Sequence, residues 1–305
     1  MTNDIDGIIW NEIKRGKHMK DICYNNKYSV SYDEFTERKN QIKSYRKFLR
    51  DLNKLERVEQ RTPEWYNMRL NMLTASNTLN AVKCHKSLIK QKATQEFKHF
   101  SSEATLWGTK FEPIAQEIYS THMDNMKIYE FGLIKSTDPD IDFYGASPDG
   151  ITATGIMLEI KCPYTRKIKP NYILPEYYAQ MQGQMAVCKL SECDFAQFEF
   201  DKITLEEFLE LKPNKKDCFC GIIKTIDGKY EYSNQFEDPL TSFNSMKDGA
   251  DSDSELLFWK LNKFDIQRVK FDKNEWDTYY KPGIIKFWNN VKEYQKSMFN
   301  NLYED

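Results

Sequence analysis

The chain is most informative first in what it lacks. It has no apolar run approaching the ~20 residues that a membrane-spanning helix requires, and its opening stretch, MTNDIDGIIWNEIKRGKH, is charged throughout, unlike a secretory leader. The reading is therefore of an intracellular, cytoplasmic protein with no membrane partner. Seven cysteines include no C-x-x-C pair, and Cys218 and Cys220 have no second pair with which to complete a metal site. Reduced thiols are the simplest reading. The four histidines, His18, His85, His99 and His122, lie far apart, which leaves histidine–zinc chemistry without support. The chain also lacks a charge excess: 44 basic residues face 46 acidic ones, for a net charge of −2. A generic nucleic-acid binder would be basic, but an enzyme that places carboxylates at its centre would not have to be. No internal repeat is visible.

What is present is a globular composition: 305 residues, 40% hydrophobic, 14% aromatic and 30% charged, enough for one large domain or two small ones. Residues 1–60 read as a charged helical extension, with Phe35, Ile42, Tyr45, Phe48, Leu49 and Leu52 at helical spacing within Tyr32–Leu55. Residues 61–305 form the expected main domain, its motifs concentrated in 61–190. There, helices are predicted over Trp65–Met72, Ser76–Val82, Thr109–His122 and Glu176–Val187, and strands over Lys127–Ile134, Asp142–Ala146 and Ile156–Lys161. Beyond it, residues 203–212 read as a short helix and Cys220–Tyr232 as a hairpin turning at Asp227-Gly228. Asn234–Glu255 reads as a flexible acidic loop, and Asp272–Leu302 as a helix broken or begun at Pro282-Gly283. The expected class is α/β (α+β), a mixed central sheet flanked by helices.

The chemistry concentrates in YGASPDGITATGIMLEIK, Tyr144–Lys161. Ser-Pro-Asp-Gly is a turn. After it, period-two alternation puts Ile156, Leu158 and Ile160 on one face and Met157, Glu159 and Lys161 on the other, with Asp149 near the start of the adjoining hairpin. Carboxylates so placed could hold Mg²⁺ or Mn²⁺, and a lysine beside them could orient a water and stabilise charge developing on a phosphate. Taken alone, Asp…Glu-x-Lys is a loose pattern that a surface strand could carry by chance. The neighbours also have ordinary explanations: Thr109-x-x-Glu112 as a capping box, Gln180 and Gln184 as a polar helix stripe, Trp65 as core with Arg69 at the surface, and Ser76 as an N-cap.

Taken together, Trp65-x-x-x-Arg69, Leu73-Thr74-Ala75-Ser76, Gly108-x-x-x-Glu112, Ser147-Pro148-Asp149-Gly150, Leu158-Glu159-Ile160-Lys161 and Tyr177-x-Ala179-Gln180-x-Gln182 resemble, in their order, the phage lambda exonuclease or YqaJ-type viral recombinase family of the PD-(D/E)XK nucleases. That resemblance implies a restriction-endonuclease-like core and 5′→3′ hydrolysis of double-stranded DNA that leaves 3′ single-stranded overhangs. It implies two Mg²⁺ (or Mn²⁺) ions held by Glu112, Asp149, Glu159 and the Ile160 carbonyl, with Lys161 assisting the attacking water and Gln180 supporting that lysine and the site. Arg69 and Ser76 would receive a 5′-terminal phosphate, arginine being suited to forked bonds with phosphate oxygens. A single-strand annealing protein as partner and a ring-shaped trimer are further implications. Two alternatives stay open: an endonuclease of the same fold, and a catalytically silent DNA-binding protein. The aromatic C-terminal stretch from Trp276 to Tyr294 reads as core or subunit interface, or as a surface that stacks on DNA bases.

Overall fold

The computed structural model describes residues 5–25, 30–52, 54, 58, 60–96, 102–247 and 254–302. Along the chain run α1 (Ile5–Lys14), α2 (Tyr32–Leu52), α3 (Pro63–Leu70), β1 (Leu73–Thr74), α4 (Thr78–Val82), α5 (Lys86–Thr94) and α6 (Glu103–His122). Next come β2 (Ile128–Tyr129), β3 (Ile134–Lys135), β4 (Tyr144–Ala146), β5 (Gly150–Thr152), β6 (Met157–Lys161), α7 (Pro175–Cys188) and β7 (Glu192–Ile203). The chain ends with α8 (Leu205–Leu209), β8 (Cys220–Ile226), β9 (Lys229–Tyr232), α9 (Pro239–Lys247), β10 (Glu255–Lys270), α10 (Lys273–Glu275) and α11 (Lys281–Leu302).

A seven-stranded mixed sheet in the order β2-β5-β6-β7-β10-β8-β9 forms the centre, parallel only between β6 and β7. A small sheet, β1-β4-β3, lies beside it. This is the expected α/β class, with helices on both faces of the main sheet. The alternation in β6 divides its side chains between them. Leu158 and Ile160 join Trp107, Phe111, Ile114 and Ile118 of α6, with Ala196 and Phe198 of β7, in one buried cluster. Phe111 stacks on Phe200 with ring centroids 4.5 Å apart, an arrangement that favours aromatic pairs beyond the area they bury. On the other face Met157 meets Met181 and Met185 of α7, Phe195 of β7, and Leu49 and Leu52 of α2.

The N-terminal helices are tied to the same sheet by charge. The buried Arg38 of α2 bonds Asp6 of α1 at 3.0 Å and Glu192 of β7 at 3.0 Å. Arg268 of β10 pairs with Asp194 of β7, whose carboxylate also accepts the Tyr119 hydroxyl of α6 at 2.7 Å. Buried charges persist only when paired, and these pairs fix α1, α2 and α6 to adjacent strands.

Several boundaries differ from those expected. The Asp-Gly hairpin forms, its turn residues Asp227 and Gly228 at φ 49° and 74°. Lys127–Ile134 is not one strand: β2 pairs with β5 and β3 with β4, in separate sheets. The supposed loop Asn234–Glu255 contains α9, and its residues 248–253 fall outside the described ones, as do Asn53 and Leu55 at the end of the expected Tyr32–Leu55 helix. Pro282-Gly283 marks a beginning, as one of the two readings had it: α11 starts at Lys281, whose N–H reaches back to the Trp276 carbonyl through a π turn, and Pro282 is its second residue. The C-terminal aromatics are mostly core. Trp276, Tyr280 and Phe287 are buried, and Trp288 stacks on Phe143 at 4.8 Å, while Tyr279 and Tyr294 are exposed.

Candidate active site

Glu159 is the centre of the site. It sits on β6 with no exposed surface, on the face that meets α7. Gln184 Nε2 donates to Glu159 Oε2 at 2.8 Å, and Gln180 Nε2 donates to Glu159 Oε1 at 2.7 Å. The Lys161 ammonium closes on the same Oε1 and lies 5.0 Å over the Tyr177 ring. Burial alone would depress the Lys161 ammonium, but Glu159 and Asp149 outweigh it and hold the group above its usual range. It is therefore a fixed positive charge at neutral pH, and not a base. Gln180, expected to support the lysine and the site, meets Lys161 on the same oxygen of Glu159. Gln184, read only as part of a polar stripe, is the second clamp.

The helix can bring both glutamines this close because of the glycine between them. A Cβ on Gly183 would lie 1.9 Å from the Tyr144 hydroxyl and 2.9 Å from Thr78 Oγ1, which are themselves bonded at 2.5 Å. The backbone of α7 thus rests directly on β4 and the turn before α4.

Asp149 follows the turn out of β4. Pairing of β5 with β6 runs from Ile151↔Met157 to Gly150↔Leu158, and the next contact is made by a side chain: Asp149 Oδ2 accepts the Ile160 N–H at 2.6 Å. Burial, then Glu159 and Glu112, raise the Asp149 carboxyl well above the usual carboxylate range. Those repulsions place the three acids in one electrostatic neighbourhood.

Glu112 comes from α6. That helix begins at Glu103 with Ser102 as its N-cap, accepting from Thr105 N–H at 3.2 Å. Thr109 and Glu112 therefore lie inside the helix, and the capping-box explanation fails. Burial raises the Glu112 carboxyl, opposed by Arg61, whose Nη2 meets Glu112 Oε2 at 2.6 Å. Two cavities of about 340 and 350 Å³ share Glu112 and Asp149. One is lined also by Arg61, Gln116 and Glu130, the other by Ile160, Lys161, Tyr164 and Arg166.

As a donor set, three carboxylates and the Ile160 carbonyl are all hard oxygens, which fits Mg²⁺ or Mn²⁺ and not a thiophilic metal. Among the described residues no three of His, Cys, Asp and Glu already stand as a ligand cage, and each carboxylate is engaged by protein donors: Arg61 for Glu112, the Ile160 amide for Asp149, and the glutamines with Lys161 for Glu159.

The residues expected to bind an end also meet. Arg69 Nη2 donates to Ser76 Oγ at 3.3 Å, and the guanidinium lies 4.3 Å over the Trp65 ring. Trp65 Nε1 in turn donates to Ser147 Oγ at 3.3 Å. Ser147 is two residues before Asp149, so one short turn joins this pocket to the carboxylates. Ser147 and Arg61 were missed in the sequence. The first looks like a turn residue, and the second makes its contact with a residue 51 positions away.

Over 183 residues the chain is 29% identical to an uncharacterized protein of Acanthamoeba polyphaga mimivirus, an alignment covering 52% of this chain and 33% of that protein. The chain thus spans about a third of the length of the curated relative it matches. Two crystal structures match over 80% of this chain and 99% of theirs with a TM-score of 0.53: an alkaline exonuclease, LHK-Exo, from Laribacter hongkongensis at 21% identity, and LHK-Exo in complex with dAMP at 22%. That likeness is one of fold. Residues 64–193, which hold Arg69, Ser76, Glu112, Asp149, Glu159, Lys161 and Gln180, match the YqaJ-like viral recombinase domain.

Proposed function

We propose that the chain is a divalent-metal-dependent deoxyribonuclease that degrades linear double-stranded DNA in the 5′→3′ direction and leaves 3′ single-stranded overhangs for recombination or repair. The observation that carries this reading is the gathering of Glu112, Asp149 and Lys161, from α6, the β4–β5 turn and β6, at adjoining cavities, with the buried Glu159 paired to Lys161 behind them.

Glu112, Asp149, Glu159 and the Ile160 carbonyl would hold Mg²⁺ or Mn²⁺, which when bound polarises the phosphate and lowers the pKa of a water. The chain's own part is positioning. Gln180 and Gln184 fix both oxygens of Glu159. Lys161, kept protonated, orients the attacking water and stabilises the added charge on the phosphate. Arg69 and Ser76, with Ser147 nearby, receive the terminal 5′-phosphate and set the distance from the end to the scissile bond. The overhang is then the substrate for a single-strand annealing partner.

Digestion of linear duplex with 5′-phosphate or 5′-hydroxyl ends, beside a closed circle, with and without Mg²⁺, tests this. Metal-dependent loss of the linear DNA alone, faster with 5′-phosphate, is expected. Cutting of the circle would point to an endonuclease, and binding without cleavage to a silent DNA-binding protein. Glu159→Ala and Lys161→Ala should each abolish cleavage while DNA binding persists; full activity in either would refute the assigned site.

A further inference from the structure

Behind Arg69 lies a second cation that the motif pattern does not mark. Lys92 of α5 is 7% exposed, and its Nζ donates to the Arg69 carbonyl at 2.6 Å. Nearby, Gln95 Nε2 donates to Asn71 Oδ1 at 2.6 Å, so the end of α5 grips the end of α3 at two points. Neither Arg69 nor Lys92 has a carboxylate partner among the described residues. A buried ammonium without a counter-charge is costly, and here it stands beside a guanidinium that repels it. Nothing in the packing demands a charge at this position, since α5 also buries Leu88 and Ala93 in an apolar cluster. Two neighbouring cations with no carboxylate partner among the described residues, one of them bonded to the hydroxyl of Ser76, leave positive charge here that an anion of more than one charge would balance.

We propose that Lys92 is a specificity-determining residue of the end-binding pocket, supplying with Arg69 the second positive charge that a dianionic 5′-phosphate monoester requires and a singly charged internal phosphodiester does not. This rests on the reading of Arg69 and Ser76 as the end-binding pair. A phosphate monoester carries about −1.5 to −2 at neutral pH, so a doubly positive pocket separates a chain terminus from every other phosphate on the duplex by charge as well as by shape. The Lys92 ammonium is pushed down to about 8 by burial and by Arg69, which leaves it charged at neutral pH. A bound dianion would stabilise that charge further.

The ordinary alternative is that Lys92 merely caps the C-terminal carbonyls of α3. Lys92→Gln separates the two, because the amide keeps a donor for the Arg69 carbonyl but removes the charge. The quantity to measure is the ratio of initial degradation rates on 5′-phosphorylated and 5′-hydroxyl linear duplex, for wild type, Arg69→Ala and Lys92→Gln. Charge-assisted hydrogen bonds contribute about 1.5–3 kcal/mol, so the ratio should fall at least about tenfold in Lys92→Gln. Should that variant fail to fold, Lys92→Met takes its place and should lose the preference to the same degree. A ratio lost in Arg69→Ala but kept in Lys92→Gln (or in Lys92→Met) would overturn the proposal and leave Lys92 a helix cap. A ratio kept in Arg69→Ala would instead refute the end-recognition reading on which the proposal stands.

Discussion

Gln184 and Glu159 are joined by a hydrogen bond of 2.8 Å between two side chains no more than 1% exposed. The two oxygens of Glu159 are not equally served. Oε1 has both Gln180 and Lys161, whereas Oε2 has Gln184. Gln184→Leu, which keeps the volume and removes the donor, should therefore harm cleavage more than Gln180→Leu. Losing one bond to a buried charged group costs about 1.5–3 kcal/mol, or roughly ten- to a hundredfold in rate if the carboxylate loses its catalytic pose. Single-turnover cleavage rates of the two variants, compared at equal DNA occupancy, check this. No loss in Gln184→Leu would mean that Gln184 serves packing alone, and equal losses would mean that the extra partner of Oε1 does not compensate for Gln180.

The second expectation concerns the glycine that lets α7 approach. In Gly183→Ala the new methyl would meet the Tyr144 hydroxyl at 1.9 Å, a contact that forces the helix away from β4. Overpacking of this kind costs about 1–3 kcal/mol, and the displaced helix carries both glutamines with it. Lower thermal stability and a loss of cleavage are expected together. Tyr144→Phe deletes the obstructing oxygen, so the double variant should recover part of both. Failure of the second change to recover either would put the strain elsewhere.

These two residues also show what a sequence can and cannot disclose. The β6 strand was legible because its alternation is local: Leu158 and Ile160 face α6, and Glu159 faces α7, as period two requires. Strand β7 was not, because residues Cys193–Phe200 are buried on both faces, including Asp194, Gln197 and Glu199. Polar groups satisfied inside the protein erase the alternation that marks a half-buried strand. Arg69 and Ser76 are seven positions apart and lie within one motif-rich stretch, so their meeting at 3.3 Å was foreseeable. Arg61 on Glu112 and Lys92 on Arg69 are products of tertiary packing across helices, and no spacing along the chain records them.

Arg61 gives the third expectation. Its guanidinium occupies Glu112 Oε2 at 2.6 Å, at the rim of a shared cavity and partly in solvent. On the proposed mechanism Glu112 is a metal ligand, so a neighbouring cation opposes a second, divalent one. Exposed pairs of this kind contribute up to about 1 kcal/mol, which corresponds to a few-fold change in binding. Arg61→Ala should lower the Mg²⁺ concentration for half-maximal cleavage a few-fold, and should tighten Mn²⁺ binding in the absence of DNA, measured calorimetrically. A higher metal requirement would mean instead that Arg61 aims Glu112 at the ion.

The last expectation sets function against stability at Lys92. Its ordinary pKa, 10.5, describes the unfolded chain, and burial with Arg69 lowers it to about 8 in the folded one. Between those values the unfolded state binds more protons, so stability rises with pH through that window. Below about pH 8 both states are protonated and the full cost of the buried charge is present, up to about 3 kcal/mol at 1.36 kcal/mol per pKa unit. Lys92→Met removes that cost, less the hydrogen bond it made to the Arg69 carbonyl. The variant should thus melt at a higher temperature than wild type at pH 7, and the difference should shrink as the pH approaches 10. A lysine retained for packing or capping would give the opposite result, a lower melting temperature at pH 7 with no convergence at high pH. Denaturation curves of both proteins at pH 7 and pH 9.5 would distinguish the two.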